Sequence, residues 1–90
     1  MYRIKPLQIA KARKIGVQIR PSTRAGKKID VYKNGRKVAS IGARGYFDYA
    51  THIERNGLQF ANNRRRLYNL RHRNNMRPGT PGYYAAKILW

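Results

Sequence analysis

The chain has 90 residues, of which 21 are Lys or Arg and only three are Asp or Glu, so its formal net charge at pH 7 is +18. Such an imbalance destabilises a compact domain through self-repulsion unless an anionic partner neutralises it. Nucleic-acid phosphates or an acidic protein surface are the usual partners. The absence of Cys excludes a disulfide framework and thiolate metal sites. The length and the lack of a linker indicate one domain, residues 1–90.

The apolar content excludes a disordered basic tail, because 41% of the residues are hydrophobic and the chain contains seven Tyr. No apolar run approaches the ~20 residues that cross a bilayer. Residues Met1–Gly16 lack the apolar segment of a secretory signal peptide. We therefore expect no membrane partner.

Apolar and polar residues alternate between Lys14 and Gly42, which is typical of β-strands. Asn34-Gly35 lies between two of these runs and predicts a type I′ hairpin turn, because both residues tolerate positive φ. Counting outward from this turn pairs Lys33 with Arg36, Val31 with Val38 and Ile29 with Ser40. The pattern predicts an antiparallel three-stranded meander within residues 14–42, with strands over residues 14–20, 28–33 and 36–41. The first dozen residues fit either a further strand or a short turn of helix.

From Gly45 onwards the apolar period shifts towards 3.6 residues, which indicates helices. Asp48 is a candidate N-cap for a short helix that Asn56-Gly57 ends. A longer helix is expected over about residues 58–74, and Thr80-Pro81 opens a last one. The predicted fold class is therefore α+β, with the β-meander followed by two or three helices in residues 46–90.

The predicted long helix carries a basic stripe. At 100° per residue, Phe60 and Leu67 share an inner face that Tyr68 and Ala61 flank, whereas Arg and Asn side chains point outward. No carboxylate in residues 62–77 offsets these positive charges. We predict that the stripe contacts nucleic-acid phosphates, together with the loop between the first two strands. The predicted contact residues are Asn62, Arg65, Arg66, Asn69, Arg73 and Arg77 of the stripe, and Arg24, Lys27 and Lys28 of the loop.

Two arginines of the long helix, Arg64 and Arg71, fall on its predicted inner face. A guanidinium there must reach solvent along its own stem or meet an anion. Asp48 and Glu54, on the preceding helix, are the nearest candidates, so a structural ion pair is expected. Trp90 is expected to pack on the long helix near Phe60 and Leu67, or into a neighbouring subunit, because an indole supplies a large share of a small core. Tyr68 is assigned to the same packing anchor.

The sequence offers no assembled catalytic or metal site. His52 and His72 have no Cys or carboxylate cluster at metal-ligand spacing. Nothing in the sequence ties a Ser or Thr to a His as a nucleophile, and the glycines match no phosphate-cradling motif. We therefore predict a protein that is not an enzyme, with no catalytic residue, no metal and no cofactor.

The second half of the chain contains a specific set of motifs. These are Gly45-Tyr46-Phe47-Asp48-Tyr49, Gly57, Phe60-Ala61, Arg64-Arg65, Tyr68, Arg71-His72, Thr80-Pro81-Gly82-Tyr83-Tyr84-Ala85 and Leu89-Trp90. With them the chain resembles, over about residues 28–90, a family of small, basic, uncharacterised proteins of large double-stranded DNA viruses. The resemblance implies a virus-encoded protein carried in the virion, and it implies no activity.

Three functions are compatible with this sequence. The first is a virion-associated structural protein that binds viral genome DNA without sequence specificity. The second is a minor capsid or cement protein that docks on acidic capsid subunits in a large assembly. The third is a ribosomal-type RNA-binding protein, which the viral resemblance disfavours.

Overall fold

A computed structural model describes residues 2–90, so Met1, the first residue of the predicted domain, lies outside the described residues. The fold is α+β, as predicted from the sequence. The elements in chain order are α1 Pro6–Lys14, β1 Gln18–Pro21, β2 Lys27–Lys33, β3 Arg36–Ala43, α2 Tyr49–Asn56, α3 Leu58–His72, a 3₁₀ turn Arg73–Asn75, and α4 Pro81–Tyr84, which continues as a π-helical segment Ala85–Leu89. None of the helices in residues 2–90 is long and apolar enough to cross a membrane.

The first strand begins later than predicted, at Gln18, because α1 extends to Lys14 and a turn at Ile15-Gly16 follows it. Pro6 stands at the first helical position, where its fixed φ favours the helix and its missing N–H costs nothing. Gln8 and Ala12, one helical turn apart, are the buried residues of α1. A strand starting at Lys14 was therefore a wrong prediction.

The three strands form an antiparallel sheet in the order β1-β2-β3. Asn34 and Gly35 both have positive φ, 53° and 78°, and Lys33 lies opposite Arg36 as predicted. Beyond this pair a β-bulge shifts the register by one residue. Val31 therefore lies opposite Ala39 and Ile29 opposite Ile41, and the predicted pairs Val31–Val38 and Ile29–Ser40 are wrong.

The bulge follows from what the core requires. A one-residue slip moves every side chain of a strand to the other face. Accommodating one extra residue at the bulge brings Ala39 and Ile41 into the core beside Ile29 and Val31, and leaves Val38 exposed. The core continues from the sheet to Ala12 of α1 and to Tyr84, Ile88 and Leu89 of the C-terminal helical segment.

Helices α2 and α3 form a hairpin around Gly57, whose φ is 89°. The N-cap and the C-terminal stop of α2 are as predicted: the Asp48 side chain accepts from the Thr51 N–H at 3.0 Å, and Gly57 follows Asn56. In the same way Thr80 caps α4 by accepting from the Tyr83 N–H. Local signals therefore set the ends of both helices.

The inward face of α3 centres on Ala61 and Tyr68, which lie at the flank of the predicted face. Ala61 is its buried residue and Tyr68 and His72 are half-buried, whereas Phe60 is 44% exposed. Phe60 is therefore more exposed than predicted, whereas Leu67 is half-buried, in agreement with the predicted face. The small Ala61 side chain lets the helix approach its neighbours closely, and Tyr68 then reaches the ring of Trp90.

Gly42 is packed so closely that an added Cβ would lie 2.8 Å from Cδ1 of Leu89. Its φ of +79° is also in the left-handed region. The variant Gly42→Ala is expected to lower the free energy of unfolding by about 2–5 kcal/mol, because left-handed strain costs about 1–2 kcal/mol and overpacking about 1–3. Urea denaturation measures this loss.

Gly45→Ala is the matched control. Gly45 also has a positive φ, +94°, but nothing lies near its added Cβ. The Gly45→Ala variant is therefore expected to lose only the free energy of left-handed strain, about 1–2 kcal/mol. Equal losses in the two variants would contradict the close packing of Gly42.

Candidate nucleic-acid interface

The carboxylate of Asp48 is the centre of a buried polar network. Asp48, 1% exposed, accepts from the Tyr2 hydroxyl and lies 3.1 Å from Lys28 Nζ. The Lys28 ammonium also donates to the Tyr46 carbonyl. Burial by itself raises the pKa of Asp48, but the hydrogen bonds from Tyr2 and Thr51 and the charge of Lys28 outweigh it and hold the pKa below its usual range. Burial and the bond to Asp48 raise the pKa of Tyr2.

Lys28 is therefore not a phosphate contact, and that prediction is wrong. The residue is only 5% exposed, because it points from the central strand towards the N-terminus of α2. Its charge is taken up by Asp48 inside the fold. Arg24, in the same loop region, is exposed, and Lys27 is half-buried at the start of β2.

The other two acidic residues, Asp30 and Glu54, are also paired within the fold. Asp30, on the central strand, accepts from the hydroxyls of Ser22 and Ser40 at 2.7 Å each, with Lys37 Nζ at 3.9 Å. Burial raises the pKa of Asp30, but these hydroxyl bonds and the Lys37 charge leave it below its usual value. Glu54 pairs with Lys5 of the N-terminal segment at 2.9 Å.

The ion pairs predicted for Arg64 and Arg71 are therefore wrong. Asp48 and Glu54 pair with Lys28 and Lys5, which approach from the sheet and from the N-terminal segment. Arg64 and Arg71 instead line a cavity of about 670 Å³ between α3 and the segment that follows β3.

The outward face of α3, with its C-cap, presents four of the predicted contact residues. Arg66, Asn62 and Asn69 are exposed along it, Arg73 is exposed at the C-cap, where the 3₁₀ turn begins, and Arg77 is exposed just beyond that turn. Arg66 donates to Asn63 at 3.0 Å, a contact on the helix surface that leaves most of its donors free for an anion. This part of the predicted stripe is assembled and accessible.

Arg65 lies on the inner side of α3 rather than pointing outward, so its predicted orientation is wrong. Its guanidinium is 4.2 Å from the ring centroid of Tyr49. Asn62 accepts from both the Tyr49 hydroxyl, at 2.7 Å, and Arg65, at 3.3 Å. Arg65 therefore joins α3 to α2 while still lining a groove at the surface.

That groove, about 550 Å³ in volume, adds two cations that sequence reasoning missed. Lys11 of α1 and Lys87 of the C-terminal segment line it with Arg65, and no carboxylate is among its lining residues. Burial, followed by the charge of Arg65, lowers the pKa of Lys11. Residues so distant in sequence carry no local signal that would group them.

Trp90 lies on α3 and stacks on Tyr68, with ring centroids 4.6 Å apart and planes 12° from parallel. Tyr68 in turn lies 4.4 Å from the ring of His72. Between Trp90 and Phe60 lies His52, at centroid distances of 5.7 and 5.5 Å. The packing anchor therefore consists of Trp90, Tyr68 and His52, with Phe60 at its edge.

No group of three or more His, Asp or Glu in residues 2–90 is arranged to hold a metal ion. No curated protein and no solved structure matches the chain. A family model does match, over residues 17–72, a span that contains the sheet, the Lys28–Asp48 pair and α3. Since this match covers more than half of the sequence, the chain belongs to DUF5754, a family of unknown function.

Proposed function

We propose that this protein is a non-enzymatic structural protein that binds the phosphate backbone of DNA without sequence specificity. The observation that carries the proposal is that each of its three acids is paired within the fold, to Lys5, Lys28 or Lys37. The remaining basic residues number 18, from 21 less three, and they have no carboxylate left in the chain to neutralise them. An external polyanion supplies the negative charge that the chain lacks.

Helix α3 is the main contact element of this proposal. Its 15 residues span about 22 Å, and Ala61 is its one buried residue. Duplex DNA carries one negative charge per about 1.7 Å of its axis, so such a helix faces several phosphates at once. Arg66 and Arg73 supply charge, and Asn62 and Asn69 supply amide donors. Contacts of this kind position a protein on DNA without reading its bases.

The proposal places the protein in the virion, where its ligand is the packaged viral genome. The support for this location is the resemblance of the motifs between Gly45 and Trp90 to those of small basic viral proteins. Packaged DNA is also a dense phosphate polyanion, and its charge is opposite in sign to the uncompensated charge of the chain.

The salt dependence of DNA binding tests the proposal. If about six phosphates are neutralised, the logarithm of the affinity falls with the logarithm of salt concentration at about −0.9 per contact, a loss of ~10³-fold between about 50 and 200 mM salt. Fluorescence anisotropy with a short labelled duplex measures the slope, and duplexes of different sequence should give the same affinity. No binding at about 50 mM salt, or a flat dependence, would contradict DNA binding.

A pair of variants locates the contact surface in the same assay. Arg66→Gln with Arg73→Gln should reduce the salt slope by about 2, one contact for each arginine. Lys33→Gln with Arg36→Gln removes the same charge from the turn between β2 and β3 and should reduce the slope less. Equal effects would show that net charge, and not α3, determines binding.

A second candidate function is docking on an acidic capsid subunit. The observation that favours it is a set of exposed apolar side chains next to basic ones, of which Phe47, with Arg55 at 4.7 Å from its ring centroid, is an example. Apolar patches bordered by charge are typical of protein-binding surfaces. A flat salt dependence on DNA, together with salt-sensitive binding to an acidic capsid protein, would favour this function.

A further inference from the structure

The cavity that Arg64 and Arg71 line has the size and composition of a ligand site. Its volume of about 670 Å³ is within the range of small-molecule pockets. Helix α3 contributes the two arginines, the segment after β3 contributes Tyr46 and Phe47, and the C-terminus of the described chain contributes Trp90. None of these groups is used by the proposed contact on the outward face of α3.

The electrostatics of the cavity select an anion. Its one carboxylate, Asp48, is already bound by Lys28 and Tyr2. Arg64 and Arg71 therefore border the cavity without a carboxylate partner among the described residues. They stand two helical turns apart, about 10 Å along the axis, so a ligand of nucleotide length contacts either or both.

The cavity also offers groups that suit a flat polar ring. Tyr46 is 75% exposed and free to stack, and Phe47 lies beside it. His52, 6% exposed, lines the cavity and packs against the rings of Phe47 and Trp90, and its Nδ1, itself buried, has no hydrogen-bond partner within residues 2–90. Burial, followed by the charge of Arg64, lowers the pKa of His52, so the imidazole is neutral near pH 7 and has one donor and one acceptor nitrogen.

We infer that this cavity receives an unpaired nucleotide, with its phosphate at Arg64 or Arg71 and its base against Tyr46 and the buried imidazole of His52. The inference rests on the proposed function, which brings nucleic acid to α3. To that function the cavity adds a binding preference for single strands and frayed ends over closed duplex. Aromatic side chains stack on any base, so the preference carries no sequence specificity.

Trp90 is the one Trp of the chain and lines both this cavity and the groove beside Lys11, so its emission reports an occupant of either site, and the variants described below separate the two. The probes are a thymidine hexanucleotide, a dumbbell duplex closed at both ends, and a hexaglutamate peptide. The hexanucleotide is expected to change Trp90 emission saturably and to bind more tightly per charge, whereas the dumbbell binds without changing emission. Binding of both nucleic acids with unchanged emission would overturn the inference and leave the proposed function intact. Binding of neither would overturn both.

Variants separate the cavity from the outward face. Arg64→Gln with Arg71→Gln, and separately Tyr46→Ala, should weaken hexanucleotide binding by about tenfold while altering dumbbell binding less. Arg66→Gln with Arg73→Gln is the matched control and should weaken dumbbell binding more than hexanucleotide binding. If hexaglutamate changes Trp90 emission as strongly as the hexanucleotide, the cavity is a general anion site and the assignment to a nucleotide is wrong.

Discussion

Replacing Asp48 by Asn is expected to destabilise the fold by about 3–5 kcal/mol, because it leaves the ammonium of Lys28 buried without its counter-charge. Asn caps a helix as well as Asp does, so the N-terminus of α2 keeps its cap and the loss reports the contacts that Lys28 and Tyr2 make with the second carboxylate oxygen. Urea denaturation at neutral pH measures the loss. Glu54→Gln is the control: its carboxylate is 62% exposed, and it is expected to change stability by at most about 1 kcal/mol.

The pH dependence of the folding stability provides a second test of the Asp48–Lys28 pair. The pKa of Asp48 is lower in the folded chain than in the unfolded one, where it is about 3.9. Its contribution is therefore fully present above that value and is lost as the pH falls through the folded pKa. The stability difference between the native protein and the Asp48→Asn variant should accordingly shrink in acid. A difference that stays constant down to about pH 2 would contradict the assigned role.

Replacing Trp90 by Ala is expected to cost about 3–5 kcal/mol, the usual range for removing a large aromatic side chain from a packed site. The indole stacks on Tyr68 and contacts His52, so its loss separates the α2–α3 hairpin from the C-terminal segment. Thermal denaturation measures the effect. For a domain of this length such a loss is a large part of the total stability.

Tyr46→Ala is the control for this variant, because Tyr46 is a large aromatic residue whose side chain is mostly in solvent. It should leave stability nearly unchanged. The emission of Trp90 in the free native protein should be blue-shifted and poorly quenched by acrylamide. A solvent-like emission, with a Trp90→Ala variant as stable as the native protein, would show that the ring is not packed.

Features set by local chemistry were predictable from the sequence. The turn at Asn34-Gly35 and the caps at Asp48 and Thr80 depend on residues within four positions of one another, and they occur where expected. The bulge in the hairpin was not predictable, because it arises from the demand that Ala39 and Ile41 reach a core completed by distant helices.

The burial of the charged residues Lys28 and Asp30 on β2 could also not be predicted from the sequence pattern. Lys28 and Asp30 alternate with Ile29 and Val31, and such alternation normally places the polar residues in solvent. Here the polar side chains are buried as well. Lys28 is paired with Asp48, and Asp30 accepts hydrogen bonds from serine hydroxyls. The groove residue Lys11 was missed for the same reason, since only the tertiary fold brings it to Arg65.

The hydrophobic core cluster is built from α1, the sheet and the C-terminal segment, and it contains no residue of the α2–α3 hairpin. The hairpin is held to this core by a few contacts, chiefly Asp48 with Lys28 and Trp90 with Tyr68. Such a division gives two cooperative units of different local stability. We expect the α2–α3 hairpin, which carries Arg66, to open at the lower free energy, so a ligand that bridges the hairpin and the sheet should slow the amide exchange of the hairpin without altering that of the core.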